Sequence, residues 1–154
     1  SWKGQFQNLH HTVMLLDSNK KEVSSSEAHM KVTSSPDFPN RLINVKKRLH
    51  QIEKANDQGN WNDFCDLAFE EFEEMHELFE SSVPSFSYRN SQTMDVLSQL
   101  KDMNDKANTK LLITMDAGNN IHCMSLPEHR DKLENLEAKF SDVKFINSWS
   151  EISG

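Results

Sequence analysis

The carboxylate best placed to do chemistry in this sequence is Asp116. It stands inside residues 111–126, LLITMDAGNNIHCMSL, where an apolar run turns abruptly small and polar and then apolar again. Gly118 admits a positive φ without a Cβ clash, and Asn119 and Asn120 tolerate left-handed backbone better than most residues. The pattern predicts a buried strand over 111–115, a second over 121–126, and a sharp redirection between them. Asp116 then closes an apolar strand against a glycine turn. Local sequence leaves two roles open for it, a turn-former bonding its own backbone or a held acid or base.

Other reactive residue types are thinly spread. Ser24, Ser25, Ser26 and Glu27 precede Ala28, His29 and Met30. This order predicts a short helix with Ser26 as N-cap and Glu27 in the first turn, favourable for the helix dipole. Hydroxyls and free N–H groups at such a start also suit phosphate. Glu73 and His76 form one Glu-x-x-His pair, but helical di-iron sites need two such pairs and two further glutamates, so no metal site is expected. The sequence has no His-Glu-x-x-His, Cys-x-x-Cys or Gly-x-Ser-x-Gly pattern. Cys65 and Cys123 stand far apart, as buried thiols of a reducing, cytoplasmic setting do.

The elements that would position these residues follow from periodicity. Residues 12–16, TVMLL, form a β-branched apolar strand ended by the turn at 17–21. Residues 34–39 break the chain with two prolines. Three helices follow. Over 41–56, Leu42, Val45, Leu49 and Ile52 recur at three, four and three, one apolar face. Gly59 ends that helix in the usual position. Over 60–80, with Asn60 as cap and Asp63 supporting it, Trp61, Phe64, Ala68, Phe72, Met75 and Phe79 make a stripe that predicts the main core helix. Its outer face carries a run of glutamates, read as solvated. Met94, Leu97, Leu100 and Met103 give the third helix its apolar side. Pro127 opens a further helix containing Leu133, Leu136 and Phe140, and 143–149 reads as a final strand with Val143, Phe145 and Trp149 on one side. Strand, three helices, two strands, helix, strand is an α+β sandwich, a small mostly antiparallel sheet covered on one face by helices.

With 154 residues the chain is one domain able to bury a core. A net charge of −7 with no basic stripe argues against nucleic acid or an anionic membrane as partner. No apolar run approaches the roughly 20 residues of a membrane span, and no signal-peptide pattern opens the chain. The first strand needs partners and the next strand candidate is 111–115. This, with a start at Ser1, predicts a piece of something larger or the second half of a two-domain protein.

Four segments in order resemble the C-terminal half of the diphosphomevalonate decarboxylase family, within the GHMP kinase superfamily. Ser25-Ser26-Glu27-Ala28-His29-Met30 is similar to its Ser-Ser-x-x-Gly-Met motif. Met75-His76, followed by Pro84, Phe86 and Tyr88, resembles its Met-His-Ala-Thr…Pro-Pro-x-x-Tyr segment. Thr114-Met115-Asp116-Ala117-Gly118-Asn119-Asn120 resembles Thr-x-Asp-Ala-Gly-Pro-Asn, and Ile152-Ser153-Gly154 the start of a glycine-rich tail. Ser1-Trp2 and residues 20–25 resemble the opening of the domain. The resemblance implies a GHMP-type, ferredoxin-like C-terminal fold and an ATP- and Mg2+-dependent enzyme that makes isopentenyl diphosphate from mevalonate diphosphate. It implies Asp116 as the catalytic residue facing the tertiary hydroxyl. It also implies substrate contacts from Ser25 and Ser26, and a pocket lined by Met30 and Ala117. The nucleotide would be bound mainly by an N-terminal half that has no counterpart here, so this chain alone is expected to be inactive; the resemblance also allows a homodimer. Glu27 stands where family members carry Arg or Thr, His29 replaces a Gly and Asn119 a Pro. A carboxylate beside a diphosphate is unfavourable unless it points away or binds through a cation. A kinase without decarboxylation and a non-catalytic interaction module are the alternative readings.

Overall fold

The computed structural model describes residues 5–16, 24–115 and 118–149. Four strands form one sheet in the order β2-β3-β1-β4: β1 is His10–Leu15, β2 Leu112–Thr114, β3 Ile121–Ser125 and β4 Lys144–Asn147. All three pairings are antiparallel, with Met14 opposite Ile121 and Phe145, and Thr114 opposite His122. The four strands expected from the sequence therefore share one sheet, and its pairings are wholly antiparallel. The strands are shorter than the apolar runs that announce them, except β1, which starts earlier because His10 and His11 find partners in Ser125 and Met124.

Among the described residues five α-helices accompany the sheet: α1 (Ser25–Lys31), α2 (Phe38–Asp57), α3 (Trp61–Glu80), α4 (Ser91–Lys106) and α5 (Arg130–Lys139). The main core lies between one sheet face and α3, α4 and α5. There Met14, Ile113, Ile121 and Cys123 from the strands meet Phe72, Leu97, Leu100, Leu133 and Leu136. The stripe on α3 does more than face the sheet. Phe72 enters the main core, Phe79 and Met75 join a second cluster with α1, and Trp61 and Phe64 join a third with Leu112 and Met124. Trp61 also donates its indole N–H to the Lys110 carbonyl at 2.7 Å. Asn60 caps α3 as expected, accepting from Asp63 N at 3.1 Å. The buried Asn104 amide bonds both Leu111 N and Leu111 O at 2.9 Å, substituting for a strand partner at the entry to β2.

Three local expectations are corrected. Ser24, not Ser26, caps α1: its hydroxyl accepts from Glu27 N at 3.1 Å, and Ser26 is already helical. Pro39 does not break the chain. It sits in the first turn of α2, where its missing N–H costs no hydrogen bond. Most consequentially, the apolar stripe proposed for α2 is not its buried face. Leu42 and Leu49 are 58% and 51% exposed. The helix instead turns Arg41, Val45, Arg48, Ile52 and Ala55 inward. Arg41 reaches Glu71 at 2.5 Å and Glu74 at 2.9 Å, and Arg48 reaches the same two carboxylates at 2.8 and 3.3 Å. Two of the α3 glutamates read as solvated are thus the inner wall of the α2–α3 contact. The chain leaves α2 through Gly59 at φ 64, a left-handed position that a side chain would strain.

Candidate active site at the sheet edge

β1 and β2 run in the same direction, because each pairs antiparallel with β3. Their C-terminal ends therefore lie at one edge of the sheet, where β3 begins. Leu16, just beyond β1, and Met115, just beyond β2, are both buried in the main core. From the first of these ends the chain passes to α1, and from the second to the 116–120 segment. Asp116 and Ala117 lie outside the described residues, as does the Ser25 side chain; description resumes at Gly118, which is buried. Between Leu16 and α1 lie residues 17–23, which are also outside the described residues, so the topology fixes at this end only where β1 and β2 stop and β3 begins.

α1 is held by packing from beneath. Ala28 is fully buried against Leu78, Phe79 and Tyr88, with Val32, Phe86 and Met75 around them. Ser26 is exposed, and Met30 is 77% exposed on the same short helix. Ser26 and Met30 therefore stand on the outer side of α1, open to a ligand. Glu27 is also exposed. Burial first, and then the Glu27 carboxylate, push the Tyr88 phenol above its ordinary pKa. The Glu27 carboxylate thus lies within electrostatic reach of the aromatic cluster that seats α1.

The Met-His…Pro…Tyr segment converges on this cluster. His76 is fully buried, edge-on to Phe79 at 5.3 Å and to Tyr88 at 6.2 Å between ring centroids. The connection after α3 is tied by hydroxyls to the turn that follows α1: Ser35 and Ser81 share a 2.6 Å hydrogen bond, and Val83 N donates to Ser34 Oγ at 2.9 Å. Arg89 closes the loop. Its guanidinium, almost wholly buried, donates to Glu80 at 2.7 Å and Glu73 at 2.9 Å. Burial alone would raise the Glu80 carboxyl, but hydrogen bonds from Arg89 and Ser87 outweigh it and hold it below the usual range. Sequence reading missed this clamp. The signal available was an arginine two residues past a loop serine, facing a helix rich in glutamate, which many surface patterns share. The clamp also accounts for Glu73, whose carboxylate is engaged by Arg89, while its Glu-x-x-His partner His76 points into aromatic rings.

Among the described residues, no group of three or more His, Cys, Asp and Glu side chains gathers as a metal site. Both cysteines are buried free thiols. Burial and the neighbouring Asp66 push Cys65 far up, and burial pushes Cys123 up to about 12, so neither offers a thiolate nucleophile at neutral pH. No described helix is long and apolar enough to cross a membrane.

No curated protein sequence matches this chain. Solved structures do. A mevalonate diphosphate decarboxylase from Legionella pneumophila superposes with a TM-score of 0.89 at 24% identity, over 95% of this chain and 47% of its own. One from Enterococcus faecalis, described by its mevalonate-diphosphate-mediated ATP binding, gives 0.75 at 18%, over 89% and 42%. A complex with MVAPP, AMPPCP and magnesium gives 0.79 at 22%, over 89% and 43%. At these identities the likeness is one of fold, and this chain spans somewhat less than half the length of each. A family model, that of the mevalonate 5-diphosphate decarboxylase C-terminal domain, matches residues 11–152. With nearly its whole length matched by that model and its fold shared with those enzymes, the chain belongs to the mevalonate 5-diphosphate decarboxylase C-terminal domain family.

Proposed function

We propose that this chain is the C-terminal part of an ATP-dependent decarboxylase that converts mevalonate 5-diphosphate to isopentenyl diphosphate. The observation that carries the reading is the family match over 11–152, which includes both the α1 serines and the 114–120 segment. β1 and β2, which precede those two segments along the chain, end on the same side of the sheet, which supports a single ligand between them. Ser26, with Ser25, contacts the substrate; Met30 and Ala117 line its apolar part; Asp116 faces the tertiary hydroxyl. ATP and Mg2+ are held by the portion of the enzyme that this chain does not span, since it contains no glycine/serine-rich phosphate loop. On this reading the chain alone has no turnover, and its partner is the nucleotide-binding half of the same protein.

The chemistry asked of this chain is modest. A carboxylate fixed at a strand end accepts the hydroxyl proton, or orients the hydroxyl, as its oxygen attacks phosphorus. The tertiary phosphate then leaves together with loss of carbon dioxide. In the full-length enzyme, Asp116→Asn should retain substrate affinity and lower turnover on the order of a hundredfold or more. Ser26→Ala should instead weaken substrate binding. An unchanged turnover number for Asp116→Asn, in a protein of unaltered stability, would reduce Asp116 to a turn-former. Glu27, exposed in the first turn of α1, favours keeping a second reading: a kinase of this superfamily that phosphorylates a less anionic mevalonate derivative without decarboxylation. Carbon dioxide release equal to ADP release supports the decarboxylase; ADP without carbon dioxide supports the kinase.

A further inference from the structure

The sheet face turned away from the main core bears a cluster that the proposed reaction does not use. His11 Nε2 and His122 Nδ1 lie 3.0 Å apart, with ring centroids 5.2 Å apart and planes inclined by 27°. Met124 is the register partner of His11 and the next residue after His122 on the same face of β3. Strand alternation places Val13, Leu15, Thr114, Ile146 and Lys144 on this face as well, so its only described charged strand residue is Lys144, paired with Leu15 at the far end of β1. Among the described strand residues no carboxylate shares the face.

We infer that His11, His122 and Met124 form a binding site for a soft metal ion, Cu(I). Two imidazoles and a thioether are a donor set for copper, and the described strand residues of this face offer no carboxylate oxygen for Mg2+ or Ca2+. The imidazole pair is already close to chelating geometry. Two nitrogens bound at about 2.0–2.1 Å to one trigonal ion stand about 3.6 Å apart, so the pair opens by roughly half an ångström and each ring turns its nitrogen off the N–N line toward the metal. The proton now shared between the rings moves to the other nitrogen of its own ring, which leaves both facing lone pairs for the metal without net proton release. Met124, directly across from His11 in the register and packed beside Trp61 and Phe64, turns its sulfur from that cluster to complete a trigonal site of two nitrogens and one sulfur. Its occupancy does not depend on the proposed catalytic roles, because neither Asp116 nor Ser26 supplies a ligand.

The test is an anaerobic Cu(I) titration of the intact chain against bicinchoninate at pH 7.5. One equivalent should be withheld from the chelator, and His122→Gln and His11→Gln should each lower the affinity at least tenfold. Met124→Leu should lower it less. In the histidine NMR spectrum the His11 and His122 ring signals should move first. Failure to withhold copper overturns the site. So does retention that survives His122→Gln, or that is lost in Cys65→Ser instead. A matching melting curve for each variant separates loss of the site from loss of the fold.

Discussion

Replacing Arg41 by Ala should destabilise this domain more than replacing Leu49 by Ala, the reverse of what residue type suggests. Arg41 is largely buried, its side chain 12% exposed, and it holds Glu71 and Glu74, whose side chains are 34% and 23% exposed. Removing it leaves Glu71 to Arg48, and Glu74 to Arg48 and the Asn44 amide. A charged hydrogen bond is worth about 1.5–3 kcal/mol; discounted for the partial exposure of the glutamates and the partner that remains, the loss is about 1–2 kcal/mol. Leu49 is 51% exposed, so truncating it opens no closed cavity and forfeits less than about 1 kcal/mol of transfer energy. For a chain of this length, about 1–2 kcal/mol lowers the melting temperature by roughly 2–8 °C. Urea unfolding followed by circular dichroism, with each variant at low and high salt, reads the difference. The Arg41→Ala penalty should shrink in salt, and the Leu49→Ala penalty should not. A larger loss for Leu49→Ala would mean that α2 packs through its leucines and that the arginine clamp contributes little.

Two further outcomes complement the tests of Asp116, Ser26 and copper binding given above. Asn104→Ala should cost about 2–3 kcal/mol in chemical denaturation, because it strands the buried N–H and C=O of Leu111; a neutral effect would mean that water reaches both groups. Acidification should destabilise the domain through His11. Its folded pKa is depressed, so its contribution is complete above the unfolded value of about 6.5 and is lost as pH falls from there through the folded pKa. The melting temperature should decline over that window, and the decline should be shallower in His11→Gln; identical slopes would remove His11 as the cause.

Much of the architecture was legible because it depends on local periods. The stripe on α3 has one interpretation as a helix. The 111–126 segment, with its small polar centre, has one as two strands and a turn. Caps are less secure: in a run of three serines each can accept from an N–H three residues on, and packing of Ala28 rather than serine chemistry fixes where α1 starts. The roles of Asp116 and Ser26 came from motif resemblance and were not derivable from period or composition. The Arg89 clamp and the His11–His122 pair escaped detection because their partners lie 16 and 111 positions away, beyond any local pattern.

The α2 helix marks the boundary between the two kinds of information. Its sequence contains two overlapping stripes that share Val45 and Ile52, one completed by Leu42 and Leu49, the other by Arg41 and Arg48. Periodicity determines that the segment is a helix, since either stripe recurs near 3.6 residues. Which stripe is buried depends on what faces it. α3 presents Glu71 and Glu74 on the side where α2 packs, and two carboxylates there lose their water unless cations replace it. Local order along the chain is enough for the elements, their succession and the candidate residues. Which face each helix buries, and which distant residues meet, is settled in three dimensions, because those choices minimise the cost of desolvating groups that are neighbours in space and strangers along the chain.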